Sequence, residues 1–260
     1  MNFTVNNVIS IVREASEIMT GNTFSVTQKD GFANIVTSSD LDIQKFLERE
    51  LGKLAPGSGF LCEENGEHTY GDSGLVWVID PIDGTANFSR GIPDCCISVA
   101  LLVSGELHMG VVYSPFKNQL YYAEKGAGAF LNGERISVSR RSFEDGILCT
   151  AMSLYDKRYA ELCSKIIFDA YMKCNDVRRF GSCAMELCYL AAGQCDLFFE
   201  YRVQAWDYSA AYLILTEAGG CLTGGKGEEL KCDSPVMLVG ANNSENHSIL
   251  LDMVRRHCNG

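Results

Sequence analysis

Long hydrophobic runs and an excess of positive charge are both missing from this chain of 260 residues. No apolar run approaches the roughly 18–20 residues that cross a bilayer, which argues against a membrane protein. The first twenty residues lack the basic start and the continuous apolar stretch of a secretory signal, so we expect a cytoplasmic protein. The net charge of −11 argues against nucleic acid as a partner, although an acidic protein can still bind phosphate when cations reverse the local charge.

Histidine is scarce, with four residues, whereas cysteine is frequent, with twelve. No two cysteines form a Cys-x-x-Cys pair, and four histidines are few to complete zinc sites. Several cysteines occupy apolar positions of helix or strand patterns, namely Cys163, Cys183, Cys188 and Cys221. We therefore expect small buried thiols in a reducing compartment and no disulfide framework.

The apolar pattern predicts an α/β protein. Apolar residues make up 47% of the chain and the mean hydropathy is near zero, which allows a sizeable core and argues against disorder. The spacing predicts helices over 4–20, from Ser38 or Ser39 to Leu54, and over 156–172, 182–192, 207–218 and 245–257. Strands are predicted over 75–79, 97–103, 107–114, 119–124, 196–200 and 236–240. We see no linker and no repeat, so we expect one domain, 1–260, with lobes at about 1–140 and 141–260.

The sharpest local feature is the hexapeptide Asp80-Pro81-Ile82-Asp83-Gly84-Thr85, which follows the apolar run at 75–79. Ligands of open α/β folds bind beyond strand ends, and Gly84 permits a sharp turn. Two aspartates in such a turn can point into one space, where they repel each other unless a cation lies between them. Hard oxygen ligands favour Mg²⁺. The alternative is an Asx-turn in which the aspartates only cap the backbone.

Further acids lie at predicted element ends. Glu63 and Glu64 follow the apolar segment Phe60-Leu61-Cys62, and Asp207 and Asp40 each stand where a helix begins. Capping alone would explain either aspartate. Sequence spacing cannot show that these acids meet.

Five segments together resemble the inositol monophosphatase family, in the expected order over nearly the whole chain. Two are its signatures, Asp80 to Phe88 and Trp206 to Gly220. The others are the acidic pair Glu63-Glu64, the Val-Thr-x-x-Asp element at 36–40, and the pocket segment Gly181-Ser182-Cys183-Ala184 with 193–200. The resemblance implies a layered αβαβα sandwich of the inositol monophosphatase and fructose-1,6-bisphosphatase type, and it implies a homodimer.

The resemblance also implies a Mg²⁺ site with two ions and a weaker third near Glu63. Its ligands would be Glu63, Asp80, the carbonyl of Ile82, Asp83 and Asp207. Thr85, paired with Asp40, would orient a water that the first ion makes hydroxide-like. The backbone N–H groups of Gly84 and Thr85 would hold phosphate oxygens.

Substrate-facing positions follow from the same resemblance. Glu200, Asp83 and Asp207 would bind substrate hydroxyls, and Cys183 would line the pocket where the family commonly has alanine. Lys29 would lie in a flap before Asp40. Further candidates are Arg178 and Arg179, which could meet a second phosphate or only solvate a helix start, and Ser153.

The reaction that these expectations describe is hydrolysis of a small phosphate monoester, with myo-inositol monophosphate as the leading substrate. Fructose 1,6-bisphosphate, 3′-phosphoadenosine 5′-phosphate, NADP and histidinol phosphate stay open, because the family shares its metal site across them. A relative that binds a phosphorylated ligand without catalysis is a remote alternative, since no expected ligand is missing.

Overall fold

The structure is a computed structural model that describes residues 3–21, 24–29, 35–64, 68–69, 71–152 and 156–258. Its helices are α1 (Val5–Gly21), α2 (Ser38–Leu54), α3 (Thr85–Phe88), α4 (Ala160–Tyr171), α5 (Cys183–Ala191), α6 (Ala205–Glu217) and α7 (Ser244–Cys258). Its first ten strands are β1 (Val26–Gln28), β2 (Ile35–Thr37), β3 (Gly59–Cys62), β4 (His68–Thr69), β5 (Leu75–Asp83), β6 (Cys96–Val103), β7 (Glu106–Ser114), β8 (Gln119–Glu124), β9 (Gly128–Leu131) and β10 (Glu134–Ile136). The rest are β11 (Ile147–Ala151), β12 (Asp176–Arg178), β13 (Leu197–Val203), β14 (Cys221–Gly224) and β15 (Val236–Ala241).

These elements stack in five layers. An eight-stranded sheet has the order β10-β9-β8-β7-β6-β5-β3-β4, and a five-stranded sheet has the order β12-β11-β13-β15-β14. Helices α5 and α6 fill the space between the sheets, α1 and α2 cover the outer face of the larger sheet, and α4 and α7 cover the outer face of the smaller one. The predicted αβαβα sandwich is confirmed.

The period of two along the strands explains why both faces of the larger sheet are covered. On β5, Trp77 and Ile79 pack toward α1 and α2, whereas Val78 packs toward α5 and α6. Successive side chains of a strand point to opposite faces, so a continuous apolar run supplies two cores at once.

Several predicted boundaries differ from the observed ones. Thr37 caps α2, in place of Ser38 or Ser39, and it forms a capping box with Asp40. The strand predicted to stop at Asp80 continues as β5 to Asp83. The segment around Lys29 is a hairpin of β1 and β2, although residues 30–34 at its tip lie outside the described residues.

The cysteine prediction is largely confirmed. All twelve lie within the described residues as free thiols, and nine of them are buried, although Cys221 is only half-buried. Among the helices that the structure describes, none has the length and apolar character needed to cross a bilayer. The division into lobes near residue 140 stays a prediction; the two large sheets change over between β10 and β11.

Candidate active site

A cavity of about 430 Å³ opens where the two sheets and the middle helices meet. It brings together acids that are far apart in the sequence. We call Glu63, Asp80, Asp83 and Asp207 the acidic floor of this cavity, and all four line it. Two other predicted site residues, Gly84 and Thr85, line it as well.

A β-bulge places two of these aspartates on one face of the sheet. Asp80 pairs with Ser98 and Asp83 pairs with Cys96, so three steps along β5 match two steps along β6. In a regular strand, residues three apart point to opposite faces. The extra residue reverses that parity and bends the strand, and both carboxylates therefore face the cavity.

Neighbouring strand and helix ends bring the other two acids to Asp80. Strand β3 runs parallel to β5, and Glu63 follows its end, with its N–H donating to the Ile79 carbonyl at 3.2 Å. Helix α6 packs on β5 and begins at Ala205, so its first turn carries Asp207 to the same place. Asp207 also accepts a hydrogen bond from the backbone N–H of Gln204 at 3.0 Å, which is the predicted capping role.

Asp80 is the most buried member of the floor, with 1% exposure. Its Oδ1 accepts no hydrogen bond, and its carboxyl lies within hydrogen-bond reach of those of Glu63 and Asp207. Burial raises the pKa of Asp80 well above its usual range, and the charges of Glu63, Asp83 and Asp207 raise it further. An ionised carboxylate here needs a nearby cation.

Asp83 is held by the start of helix α5, about a hundred residues away along the chain. Its Oδ2 accepts hydrogen bonds from Ser182 Oγ at 2.6 Å and from the backbone N–H of Ala184 at 2.7 Å. A helix N-terminus favours a carboxylate. Burial nevertheless raises the pKa of Asp83 to about 6, with these hydrogen bonds opposing the rise.

Thr85 and Asp40 form the predicted pair. Thr85 Oγ1 lies 3.2 Å from Asp40 Oδ1 and 2.9 Å from the Ile82 carbonyl, and it can donate to either. The other carboxylate oxygen of Asp40 accepts from the backbone N–H of Thr37 at 2.8 Å. Asp40 therefore caps α2 and holds Thr85 at once. Burial raises the pKa of Asp40 to about 6.

Gly84 makes the turn between these groups possible. Its φ is +88°, in the left-handed region, and a Cβ there would lie 2.9 Å from the Asp94 carbonyl. Asn87 then donates to the carbonyls of Asp94 and Phe180 at 2.7 and 2.6 Å, which ties this turn to the segment before α5.

The donor set fits a hard divalent cation. Buried carboxylates raise one another's pKa, and an unpartnered oxygen of Asp80 lies among them. Among the residues that the structure describes, no three acidic, histidine or cysteine side chains already converge as a closed set of ligands. The acids are in pairwise contact only, because ionised carboxylates repel one another and do not converge without a cation between them. Glu63, Asp80, Asp83, Asp207 and the Ile82 carbonyl supply only oxygen, which suits Mg²⁺.

Lys29 of the β1–β2 hairpin reaches the edge of the floor. Its Nζ lies 3.3 Å from Glu63 Oε1 and 2.8 Å from Glu64. Burial tends to lower the pKa of Lys29, but attraction to Glu63 and Glu64 outweighs it and the pKa is raised. The lysine is therefore charged and paired beside the predicted flap.

Cys183 and Glu200 also line the cavity, and we call them its wall. Burial, and then the charge of Glu200, raises the pKa of the Cys183 thiol well above its usual range. A protonated thiol is a poor nucleophile. Burial also raises the pKa of Glu200, with Glu186 the next cause.

The two candidate arginines lie in different places relative to the cavity. Arg179 lines the cavity, whereas Arg178 does not, because its guanidinium pairs with Asp176 at 2.5 Å on β12. Of the two alternatives left open for Arg178, its pairing outside the cavity agrees with a solvated surface position and not with contact to a second phosphate. Ser153 lies outside the described residues.

Sequence reasoning missed four charged groups that line the cavity, namely Asp156, Arg158, Arg202 and Glu186. The two arginines lie on exposed segments with no motif, and only the fold brings them here. Glu186 could have been noticed as a charged residue within the apolar helix Cys183–Ala191, where it is 1% exposed.

The chain is similar in sequence and in structure to known proteins of one family. The model of the inositol monophosphatase family matches residues 3–258. A protein of Thermotoga maritima named fructose-1,6-bisphosphatase/inositol-1-monophosphatase is 37% identical over 85% of this chain and 84% of its own length. A Nus factor SuhB of Salmonella typhimurium is 39% identical over 74% of this chain and 73% of its own length. The solved structure of a Thermotoga maritima IMPase superposes with a TM-score of 0.87 at 33% identity, covering 98% of each chain.

Proposed function

The chain belongs to the inositol monophosphatase family, and we propose that it is a Mg²⁺-dependent phosphatase that hydrolyses a small phosphate monoester, with myo-inositol monophosphate as the leading substrate. The observation that carries this proposal is the acidic floor: four carboxylates from β3, β5 and α6 line one cavity beside the Thr85–Asp40 pair.

The ligands of the metal would be Glu63, Asp80, the Ile82 carbonyl, Asp83 and Asp207. Asp80 would be a central ligand of this set, because its carboxyl interacts with those of both Glu63 and Asp207. Bound Mg²⁺ would lower the pKa of a water molecule and neutralise charge on the phosphoryl group.

The chain's own groups prepare the attack. When the Thr85 hydroxyl donates its hydrogen to Asp40 and not to the Ile82 carbonyl, its lone pairs are free to accept a hydrogen from the attacking water. Asp40 is itself fixed by Thr37 and cannot turn away. The water oxygen forms a bond to phosphorus and releases one proton to solvent, while the bond from phosphorus to the alcohol oxygen breaks and that oxygen takes one proton from solvent. No covalent phospho-enzyme is required, which agrees with the protonated state of Cys183.

The polyol would lie against the wall of the cavity. A carboxylate accepts two hydroxyl donors, which suits Glu200 for a polyol. The Thermotoga maritima relative is named fructose-1,6-bisphosphatase/inositol-1-monophosphatase, so inositol 1-phosphate and fructose 1,6-bisphosphate are both candidate substrates here.

The experiment is steady-state phosphate release from inositol 1-phosphate and from fructose 1,6-bisphosphate, with Mg²⁺ and with a chelator. We expect turnover of at least one substrate that disappears with chelator and returns with Mg²⁺. Turnover that survives the chelator would refute the metal role. Binding of the phosphate esters without release of phosphate would favour the non-catalytic alternative.

Three expectations stay predictions: a homodimer, a cytoplasmic location and the lack of a nucleic-acid partner. The last rests on the net charge of −11. A gel-shift titration with duplex DNA and with single-stranded RNA at low salt tests it, and saturable binding of either would contradict it.

A further inference from the structure

Glu186 is a buried carboxylate that the proposed reaction does not use. It lies in the first turn of the apolar helix α5, is 1% exposed and lines the cavity. Its Oε1 accepts hydrogen bonds from the backbone N–H groups of Phe180 and Gly181 at 2.6 and 2.9 Å. Its Oε2 is buried and has no hydrogen-bond partner in the described part of the chain. Burial raises the pKa of Glu186 to about 7, against the effect of the two N–H groups, so its charge is only half compensated.

Another buried carboxylate shows what full compensation requires. Asp196 is 0% exposed and does not line the cavity. Its Oδ1 accepts from Ser139 Oγ and, at 3.2 Å, from Arg141, and its Oδ2 accepts from the backbone N–H of Ile147 at 2.8 Å. A buried charge lowers stability unless such partners surround it. Stability therefore explains Asp196, whereas Glu186 needs another explanation.

The two N–H groups that Glu186 accepts belong to the turn that leads into α5. Gly181 in this turn has a φ of +86°, in the left-handed region, and a Cβ there would lie 3.1 Å from Asn87 Nδ2. Asn87 donates to the Phe180 carbonyl at 2.6 Å. The peptide groups of Phe180 are thus held on both sides, by Glu186 through the N–H and by Asn87 through the carbonyl.

Ser182 follows this turn and holds the proposed metal ligand Asp83. Its Oγ donates to Asp83 Oδ2 at 2.6 Å and accepts from the backbone N–H of Met185 at 3.3 Å, which makes it the N-cap of α5. The N–H of Ala184 donates to the same oxygen of Asp83 at 2.7 Å. A serine hydroxyl can rotate, so its aim at Asp83 depends on how its backbone is held.

We propose that Glu186 is a positioning residue for Asp83: it fixes the turn at 180–182, and this turn aims Ser182 at the carboxylate that binds Mg²⁺. This rests on the proposed function for the role of Asp83 as a ligand. Groups that hydrogen-bond metal ligands fix the orientation of those ligands, and their loss lowers metal affinity by about ten- to a hundredfold.

Two competing explanations assign the same carboxylate no such role. In the first, the start of α5 orders Asp83 without Glu186, because the cap Ser182 and the N–H of Ala184 belong to the helix itself. In the second, Glu186 acts only through its charge, since Asp83 and Glu186 repel each other. The choice of variants separates the three explanations.

The test is calorimetric titration of Mg²⁺ into the chelator-treated full chain of wild type and variants. Glu186→Met keeps the length of the side chain without an acceptor oxygen, and Glu186→Ala repeats that loss with a smaller side chain. Glu186→Gln removes the charge and keeps an acceptor oxygen. We expect methionine and alanine to raise the Kd of Mg²⁺ about tenfold, and glutamine to stay within about twofold of wild type.

The matched control is Asp196→Asn, which breaks buried hydrogen bonds outside the cavity. It should lower the urea midpoint of unfolding and leave the Kd of Mg²⁺ unchanged. A wild-type Kd in Glu186→Met and Glu186→Ala would overturn the proposal in favour of the helix start alone. Equal weakening by methionine and glutamine would overturn it in favour of charge, and equal weakening by Asp196→Asn would overturn it in favour of a general loss of packing.

Amide hydrogen exchange over residues 180–184 in chelator tests the same turn without metal. We expect faster exchange in Glu186→Met than in Glu186→Gln, and equal exchange in the two variants would overturn the proposal. This difference in a wild-type background that binds no Mg²⁺ would refute the proposed function and keep the role of Glu186 in holding the turn. Mg²⁺ binding by wild type with equal exchange and equal Kd in the variants would do the reverse.

Discussion

The acidic floor and two exposed arginines, Arg158 and Arg202, share one cavity, yet they differ in burial and in charge. Asp80 and Asp83 of the floor are 1% and 8% exposed, whereas the side chains of Arg158 and Arg202 are 81% and 52% exposed. Charges in a buried site interact strongly because little water screens them, and exposed charges interact weakly. We therefore expect substitutions in the floor to change turnover far more than substitutions of these exposed arginines.

The largest effect is expected from removing the central charge of the floor. Asp80→Asn should lower kcat/KM by about a thousandfold or more, since metal ions supply several kcal/mol of charge stabilisation in the transition state. Steady-state phosphate release measures this kcat/KM. The matched control is Asp72→Asn, an exposed acid of the same half that does not line the cavity, and it should retain wild-type rates. Near-normal turnover in Asp80→Asn would remove the floor from the reaction.

The next effect concerns the Thr85–Asp40 pair. Thr85→Val keeps the shape of the side chain and removes the hydroxyl, so kcat should fall by about a hundredfold, the scale of positioned proton transfer. Thr85→Ser restores a hydroxyl and should recover most of the rate. A valine variant with wild-type kcat, or a serine variant as slow as valine, would show that the hydrogen bond to Asp40 is not used.

The pH dependence of stability should reveal the floor without any substrate. Burial raises the pKa of Asp83 and of Asp40 to about 6, and that of Glu63 to about 7. The folded chain then holds protons that the unfolded chain releases near pH 4, so these groups stabilise the fold below about pH 4 and that contribution is lost as pH rises to 7. Asp156, which pairs with Arg158 at the opening of the cavity, does not titrate in this pH range, because its pKa is lowered to about 2.

In chelator, we expect the free energy of unfolding to fall by on the order of 2 kcal/mol between pH 5 and pH 8. Urea unfolding at several pH values measures it. Added Mg²⁺ should reduce the difference in the free energy of unfolding between pH 5 and pH 8, because a ligand that binds the folded state stabilises the folded state. A chelated chain that is more stable at pH 8 than at pH 5 would contradict the raised pKa values.

The smallest effect is expected at Cys183. Cys183→Ala should change kcat by less than about twofold, because a buried, protonated thiol takes no part in the reaction. Any change should fall on KM, since the side chain lines the wall of the cavity. A hundredfold loss of kcat would instead identify the thiol as a nucleophile.

Local signals predicted most of the elements and placed the acids at element ends, whereas the meeting of the acids in one site was implied only by the resemblance to the inositol monophosphatase family. Asp80 ends an apolar run, and Asp40 and Asp207 occupy the third position of α2 and α6, where capping acids are common. The capping interpretation and the functional one turn out to be compatible, since one carboxylate oxygen of Asp40 caps the helix and the other faces Thr85.

Features that depend on distant contacts could not be predicted. The bulge in β5 reverses the face of Asp83, and the start of α5 then fixes its orientation across 101 positions of sequence. Strands β12 and β14 have only three and four residues, too few for a period of two to be recognised in the sequence. Arg178 and Arg179 are neighbours with the same side chain, and only the pairing of Arg178 with Asp176 separates them.

The central claim is that the floor binds Mg²⁺ through carboxylates that share protons until the metal displaces them. Calorimetric titration of Mg²⁺ into the chelator-treated chain at pH 7, in two buffers of different ionisation enthalpy, measures the metal affinity and the protons released together. We predict binding by wild type with net proton release, and loss of both in Asp80→Asn. Absence of Mg²⁺ binding, or equal binding by wild type and Asp80→Asn, would contradict the account.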